Sequence, residues 1–306
     1  MEQFGIMMGK HKKSAFEGWF LNIDDIQNDL MLSIIWGYTT HEKTGHAFLQ
    51  FTTNIDHQTH YISYPLEELE WKSSTFHLKI GNNFLSEKKA VLDFTIEGRR
   101  VQGVFEFGKF SEIKKGFLKP NIMGWLTYFP NECNHSITSM HHNVNGKLRM
   151  GEKKWEIVDA DGYIEKDWGT SFPEKYVWLQ ANNWENSRIV FSYATVPMLG
   201  KYRKGFFLLL QHEGIEYRFS TIEGSRLIDF NADSISFWAK IRKGNTEVSI
   251  KGKQRNPVPL ASPSMGEMNA KIKESLDGDV EIILLNKGKK KIELKSNRAS
   301  IDVHFL

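Results

Sequence analysis

The sequence is short of cysteine, since Cys133 is the only one among 306 residues. A single thiol cannot form an intramolecular disulfide or a cysteine-based zinc cluster, and it fits a reducing, cytoplasmic location. The sequence also lacks an excess of charge of one sign, because 40 lysines and arginines stand against 37 aspartates and glutamates. Nucleic-acid-binding domains usually carry a concentrated basic surface, so this balance argues against a nucleic-acid partner.

Long hydrophobic runs are absent as well. No stretch approaches the roughly 20 apolar residues of a membrane-spanning helix, and residues 1–13 lack the continuous apolar core of a signal peptide. We therefore expect a soluble protein whose contact with membranes is peripheral. The short basic runs at residues 10–13 and 287–291 could touch an anionic membrane surface, although such runs are more often solvated turns.

Long amphipathic helices are also missing from the pattern. Instead, β-branched and aromatic runs recur about every 8–12 residues and are separated by glycine, asparagine and charged residues, a rhythm typical of sandwiches and barrels. Closure into a barrel removes the exposed edges of such an up-and-down series. A chain of 306 residues is long enough for two cores. The sequence therefore predicts an all-β protein with two barrels.

Turns and breaks in this pattern can be predicted from residue chemistry. Glycine after Asn, Glu or Lys supplies the positive φ that tight hairpins require. The four best candidates are Asn145-Gly146, Glu213-Gly214, Glu97-Gly98 and Lys243-Gly244. Residues 254–266 contain three prolines, which remove ladder donors, and we expect a loop or a sheet-edge connection there.

The most distinctive segment runs from Gly162 to Pro173 and reads GYIEKDWGTSFP, followed by the strand YVWLQAN at 176–182. It resembles the pattern of the tocopherol cyclase family: Tyr/Trp-Ile-Glu-Lys-Asp/Asn-Trp-Gly, then Phe-Pro, then an aromatic strand that ends in Gln or Asn. Three further blocks agree with the family in the same order. They are FEGWF at 16–20, GHAFLQ at 45–50, and GEM at 266–268 with ESLDG at 274–278.

This resemblance implies two lipocalin-like antiparallel β-barrel domains packed together, which we place at residues 14–170 and 171–306. It also implies a substrate related to prenylated quinols or carotenoids. In plant and cyanobacterial members of the family this motif looks like Glu-Lys-Asn-Trp-Gly, whereas this chain has Asp167 at the Asn position. We therefore expect a prenylated quinol or another isoprenoid as the ligand, rather than tocopherol chemistry taken over unchanged.

Glu165 and Asp167 are the candidate catalytic acids. Cyclising a prenyl quinol requires a proton on an alkene, and a carboxyl group can supply it only while it is kept neutral by burial. The two residues lie two apart, so on a strand both point to one face, with Tyr163, a ligand-binding candidate, beside them. Two carboxyls on one face repel when both are ionised, which favours one staying protonated. The structural alternative is a charged turn in which Trp168 plugs the barrel.

A second set of candidates belongs to ligand binding. The strand 176–184 places one mixed aromatic and amide set on a single face, a composition suited to the wall of an apolar cavity. This set is Tyr176, Trp178, Gln180, Asn182 and Trp184. Glu17 and His46 are weaker ligand-binding candidates, because Glu17-Gly18-Trp19 also fits the structural opening of a lipocalin barrel and His46 fits a hydrogen-bonded core histidine.

No metal or other cofactor is predicted. The metal-ligating residue types Glu132, Cys133, His135, His141 and His142 match no known zinc spacing. No glycine-rich loop precedes a helix, so nucleotide binding is unsupported. The leading hypothesis is a cofactor-independent cyclase that acts by acid catalysis on a small hydrophobic ligand. The alternative is a non-catalytic, lipocalin-like carrier or sensor of a lipid.

Overall fold

The computed structural model describes residues 4–72, 76–117, 119–129, 131–198 and 201–305. Within these ranges the regular structure consists of 21 β-strands and three short 3-10 helices, with no α-helix. None of the described helices is long and apolar enough to cross a membrane.

The chain divides into two compact units. Unit 1 comprises Met1–Phe129, Cys133–Phe172 and Ala261–Ala270, and unit 2 comprises Pro130–Glu132, Pro173–Leu260 and Lys271–Leu306.

Unit 1 is built on one antiparallel sheet. Its strands are β1 (Phe16–Asp25), β2 (Leu30–Thr39), β3 (Ala47–Thr53), β4 (Gln58–Tyr64), β5 (Leu69–Lys72), β6 (His77–Ile80), β7 (Asn83–Ser86), β8 (Lys89–Ile96), β9 (Arg99–Phe107), β10 (Cys133–Met150) and β11 (Lys153–Gly169). The order across the sheet is β4-β3-β2-β1-β11-β10-β9-β8-β7-β6-β5. The two edge strands, β4 and β5, follow each other in the chain. The sheet thus returns on itself as a nearly closed barrel.

Unit 2 repeats this plan. Its strands are β12 (Lys175–Trp184), β13 (Ser187–Met198), β14 (Lys201–His212), β15 (Ile215–Ser220), β16 (Arg226–Ala232), β17 (Ser236–Lys243), β18 (Thr246–Lys253), β19 (Val258–Ser264), β20 (Glu267–Asn286) and β21 (Lys289–His304). The order is β15-β14-β13-β12-β21-β20-β18-β17-β16, with β19 paired to β20. The edge strands β15 and β16 are again consecutive. The prediction of an all-β fold with two lipocalin-like barrels is confirmed.

Each barrel is filled by the side chains of alternate strand positions. In unit 1 the large side chains of Trp19, Trp36 and Phe51 are completely buried in one apolar cluster. In unit 2 the corresponding cluster includes Phe191 and Leu208. Aromatic side chains bury much area at little cost in conformational entropy, so this packing uses much of the aromatic content of the chain.

Three of the four predicted hairpin turns are confirmed. Gly98, Gly214 and Gly244 have positive φ values of 78°, 77° and 58° and lie between consecutive strands. The prediction at Asn145-Gly146 is wrong, because both residues lie inside β10. A Cβ at Gly146 would approach the carbonyl oxygen of Val104 to 2.0 Å, so glycine is required there for close strand approach rather than for a turn.

The proline-containing segment is partly a strand. Residues 258–264 form β19, which lies off the main strand order, as proline in a sheet requires. The side-chain amide of Gln50 bonds to the backbone of Ala261 twice, once as donor and once as acceptor, both at 2.9 Å. Residues 261–270, which include the end of β19 and the start of β20, belong to unit 1, and the other residues of these two strands belong to unit 2.

A buried ion pair ties the N-terminal segment to the barrel of unit 1. The Lys166 Nζ lies 2.6 Å from a carboxylate oxygen of Glu17, and both side chains are fully buried. The Glu17 carboxylate also accepts hydrogen bonds from Tyr38 Oη at 2.5 Å and from the backbone N–H groups of residues 7 and 8. Burial lowers the pKa of Lys166, and the Glu17 carboxylate opposes this shift.

Further contacts hold the same segment. The indole nitrogen of Trp19 donates to the Phe4 carbonyl at 3.0 Å, and the Lys166 ammonium donates to the Gly5 carbonyl. The ammonium lies 5.0 Å from the ring centres of Trp19 and Trp168. Cation–π contacts and hydrogen bonds together compensate part of the lost hydration of the ammonium.

We predict that Lys166→Met lowers the free energy of unfolding of unit 1 by about 3–5 kcal/mol, because it leaves the Glu17 carboxylate buried without its countercharge. Adding Glu17→Gln should restore part of this loss. The matched control is Lys79→Met, which breaks the exposed Lys79–Glu70 pair and should cost less than about 1 kcal/mol. Urea denaturation measures all three, and equal losses for Lys166→Met and Lys79→Met would contradict the prediction.

Candidate functional site

Strand β11 carries charged residues on both of its faces. Ile164 belongs to the core cluster of unit 1, and Lys166 lies on the same side with Trp19. Tyr163, Glu165 and Asp167 lie on the opposite face, as the alternation predicts. Glu165 is buried and Tyr163 is completely buried. A carboxyl group in such surroundings needs specific partners.

Those partners come from within β11 and from the neighbouring strand β10. His135 lies opposite Asp167 in the β10–β11 register, and its Nδ1 is 2.8 Å from Asp167 Oδ1. Its Nε2 is 3.4 Å from Glu165 Oε2. Tyr163 Oη donates to the same Glu165 oxygen at 2.5 Å. We call Tyr163, Glu165, Asp167 and His135 the acid cluster.

The acid cluster holds a proton on its histidine. Burial by itself would disfavour the imidazolium, but the Glu165 and Asp167 carboxylates outweigh this effect and raise the pKa of His135 to about 9. Burial and the neighbouring Glu165 raise the pKa of Tyr163 well above its usual value, so the phenol stays neutral. An imidazolium between the two carboxylates removes the repulsion from which the sequence pattern predicted a protonated carboxyl.

The members of the acid cluster differ in accessibility. The Asp167 side chain is 16% exposed, against 11% for His135 and 7% for Glu165. Asp167 is therefore the carboxyl best placed to meet another molecule. One donor atom from each of these three residues lies within 4.8 Å of the others. This set could accommodate a divalent metal ion only if the ion replaced the proton on His135.

Sequence reasoning missed His135 as a member of the site, because it placed a turn at Asn145-Gly146. The hairpin actually turns at Gly151, whose φ is 59°. The β10–β11 pairing then continues, through register shifts, as far as Cys133. A regular hairpin that turns at Gly151 would place His135 opposite Trp168, and the register shifts of the pair move it by one residue to Asp167.

Two other histidines among the metal-ligating residue types, His141 and His142, do not join the acid cluster. His141 Nε2 pairs with Asp161 Oδ1 at 2.7 Å. His142 is buried against Phe107, its Nδ1 lies 3.1 Å from Ser139 Oγ, and burial lowers its pKa to about 3. His141 and His142 thus face opposite sides of β10, as adjacent residues of a strand do.

The two weaker ligand-binding candidates do not join the acid cluster. Glu17 lies on the inner side of the sheet, in the ion pair with Lys166. His46 bonds to the Thr44 carbonyl and to Tyr61 Oη, both at 2.6 Å. A ligand-binding role for either residue stays a prediction.

In unit 2, strand β12 presents the predicted aromatic and amide face. Val177 and Leu179 belong to the core cluster. The alternate residues Tyr176, Trp178, Gln180 and Asn182 are buried on the other face. Trp184 was predicted to share that face, but it packs against the core cluster instead. The reason is a register shift between Ala181 and Trp184, which reverses the alternation.

This face of β12 continues onto the neighbouring strand β21. Trp178 lies opposite Asp302, and Gln180 lies opposite Ser300. Tyr176 Oη donates to Asp302 Oδ2 at 3.4 Å. The buried amide nitrogen of Gln180 has no hydrogen-bond partner within the described part of the chain. A buried donor of this kind is commonly met by a ligand or an ordered water. Asp302 was not among the predicted residues.

Solved structures with the same fold are distant in sequence. The crystal structure of CghA with Sch210972 matches with a TM-score of 0.59 at 9% identity, covering 99% of this chain and 96% of that one. Kievitone hydratase from Nectria haematococca matches with a TM-score of 0.56 at 11% identity, covering 94% of this chain and 88% of that one. At these identities the likeness shows the fold alone.

Sequence comparison adds plant relatives. The probable tocopherol cyclase, chloroplastic, of Oryza sativa subsp. japonica is 24% identical over 196 residues, which are 59% of this chain and 41% of that protein. The chloroplastic tocopherol cyclase of Zea mays is 25% identical over 146 residues, which are 36% of this chain and 31% of that protein. The matches therefore span less than half the length of these relatives.

The family model described as tocopherol cyclase-like matches residues 99–304. This span includes the whole acid cluster and all of β12. Because the match covers most of the sequence, the chain belongs to the tocopherol cyclase-like family.

Proposed function

We propose that this protein catalyses the cyclisation of a small, hydrophobic prenylated substrate, a quinol or another isoprenoid, by acid catalysis at the acid cluster. The observation that carries the proposal is the buried His135 between two carboxylates, one of which also accepts a hydrogen bond from Tyr163. Proton-holding networks in poorly hydrated surroundings are typical of general acid sites.

Family membership supports this reaction class. A cyclase that closes a ring onto an alkene and a hydratase that adds water to one share a first step, which is protonation of the double bond. Tocopherol cyclase and kievitone hydratase carry these two activities in their names. We assign protonation of an alkene to this chain on the basis of the acid cluster, because that step requires a protonated network.

The geometry suggests separate roles within the acid cluster. The proton on the His135 imidazolium passes across a 2.8 Å contact to Asp167, the most exposed carboxyl, which delivers it to the alkene. The quinol oxygen then attacks the tertiary cation and loses its own proton to the acid cluster. The reaction is an isomerisation, so neither a redox partner nor a cofactor is needed. Glu165 and Tyr163 position the imidazole from its other side.

A ligand-binding role for β12 is a second part of the proposal. Tyr176 and Trp178 offer flat apolar surface, and Gln180 and Asn182 offer amide groups suited to a hydroxyl. The unpartnered amide nitrogen of Gln180 supports this assignment.

We predict that Asp167→Asn lowers turnover of a prenylated quinol by about 10²–10⁴, the usual contribution of general acid catalysis. The amide keeps the shape of the side chain, so folding and substrate affinity should change little. Glu165→Gln tests the alternative donor on the same substrate. Product formation measured by chromatography under saturating substrate gives the comparison.

The matched control for this experiment is Asp161→Asn, which alters the second histidine–carboxylate pair on the same two strands, at His141. It should keep turnover within about threefold, as expected away from the site. Wild-type turnover in both Asp167→Asn and Glu165→Gln would contradict the catalytic proposal and leave the lipid-carrier alternative. Loss of turnover after treatment with a chelator would instead assign the cluster to a metal ion.

We also predict that Trp178→Ala weakens binding of an apolar fluorescent probe more than Leu179→Ala does. For each variant the loss of probe affinity is compared with the loss of folding stability. Leu179 is a core residue of the barrel, so its truncation should cost about 2–5 kcal/mol of folding free energy with little direct effect on the ligand. Equal effects of the two changes on probe affinity would contradict a binding role for this face.

A further inference from the structure

Exposed aromatic side chains are concentrated in one loop of unit 1. Four of the five described aromatic residues that are exposed lie between residues 117 and 129. They are Phe117 at 89% exposure, Phe129 at 57%, Tyr128 at 54% and Trp125 at 43%. Exposed large apolar groups are normal when scattered, but a cluster of them marks an interaction surface. We call residues 109–129 the aromatic loop.

The aromatic loop is held in shape by its own contacts. Tyr128 Oη donates to the Phe117 carbonyl at 3.1 Å. Trp125 and Phe129 meet edge to face, with ring centres 5.6 Å apart. Asn121 Oδ1 accepts from Thr127 Oγ1 at 2.6 Å and from a backbone N–H at 2.9 Å. The aromatic side chains are therefore presented outward from an internally bonded loop.

Other apolar residues of the loop are turned inward. Ile113 and Ile122 are each only 3% exposed, and Phe110 packs against the core cluster of unit 1. The loop is therefore packed on the barrel, while Trp125, Tyr128 and Phe129 stay exposed on its outer side.

The aromatic loop is strongly basic. It contains four exposed lysines, Lys109, Lys114, Lys115 and Lys119, and a single acidic residue, Glu112. Glu112 pairs with Lys115. The loop thus carries an excess of three positive charges, as large as the formal net charge of +3 of the whole chain. An adjoining groove of about 640 Å³ is lined by Lys88 and Lys89 together with Glu87 and Glu106, so it adds no net charge to that of the loop.

We propose that the aromatic loop docks the protein on an anionic lipid bilayer. Tryptophan and tyrosine favour the interface between hydrocarbon and water, where an apolar ring and a polar group are both satisfied. Lysines around them attract anionic headgroups. This combination of exposed aromatic side chains and exposed lysines complements a bilayer surface. Docking does not depend on the catalytic proposal.

The surface differs from the basic runs that the sequence suggested. Lys10, in the first run, donates to the Leu69 carbonyl at 2.7 Å and lies over the Trp71 ring. The second run, at residues 287–291, has no exposed large hydrophobic residue within it in the described structure. Neither run combines charge with apolar anchors as the aromatic loop does.

Co-sedimentation of the full chain with vesicles tests this proposal. We expect binding to vesicles of phosphatidylcholine with phosphatidylserine, and much weaker binding to phosphatidylcholine alone. The triple change Phe117→Ser, Trp125→Ser and Phe129→Ser should lower the partition coefficient by at least about tenfold. The matched control removes three exposed aliphatic or thioether side chains elsewhere through Ile26→Ser, Ile215→Ser and Met265→Ser, and should leave it within about twofold.

Fluorescence gives an independent readout, because Trp125 is the single exposed tryptophan of the described chain. Brominated lipids should quench part of the emission of the wild type, and this part should vanish in Trp125→Phe. Equal binding of the wild type and the triple variant, or equal binding to neutral and anionic vesicles, would overturn the proposal. The proposal would also be wrong if the triple change dissociated a dimer of the wild type and left vesicle binding unchanged, since the aromatic loop would then be a dimer interface.

Discussion

The pairing of β10 with β11 determines which side chains meet in the acid cluster. The pairing begins at the Gly151 turn and reaches Cys133 through several register shifts, which bring His135 directly opposite Asp167. A shift of one residue in an antiparallel pair moves a side chain to the other face of the sheet. The acid cluster therefore depends on this register more than on any single side-chain contact.

Strand β11 stabilises charge on both of its faces by local compensation. On the inner face, Lys166 is neutralised by Glu17 at 2.6 Å. On the other face, the carboxylates of Glu165 and Asp167 share the His135 imidazolium. Buried charges are tolerated only with such partners, because each would otherwise lose several kcal/mol of hydration. The same short motif thus supplies a structural ion pair and a proton-holding network, according to side-chain direction.

Much of this arrangement follows from the sequence. Alternation along the Glu-Lys-Asp motif correctly separates Glu165 and Asp167 from Lys166, because a regular strand has a period of two. It fails at Trp184, where a register shift interrupts the period. It also fails for His135, which lies 32 residues from Asp167 in the chain. Long-range pairing depends on the turn position, and the Asn145-Gly146 pair favoured the wrong one.

The structural role of Glu17 could not be predicted from the sequence for a different reason. A buried glutamate in a matched motif suggests a functional role, but its countercharge, Lys166, lies at a sequence distance that local patterns do not reach. Only the β1–β11 pairing, in which Glu17 is opposite Trp168 and Trp19 is opposite Lys166, brings the two charges together.

The proposed acid catalysis requires that the acid cluster carry its proton on His135 at neutral pH. Nitrogen-15 NMR of the histidine side chains measures this directly, with the His135 signal assigned by its loss in His135→Gln. We predict that both ring nitrogens of His135 stay protonated at neutral pH and titrate near its pKa of about 9, whereas His142 stays neutral at that pH because burial lowers its pKa to about 3. In Asp167→Asn the His135 transition should move to lower pH, since one of its two carboxylate partners is lost. A neutral His135 at pH about 7, near the ordinary histidine pKa, would show that the acid cluster holds no proton there to deliver.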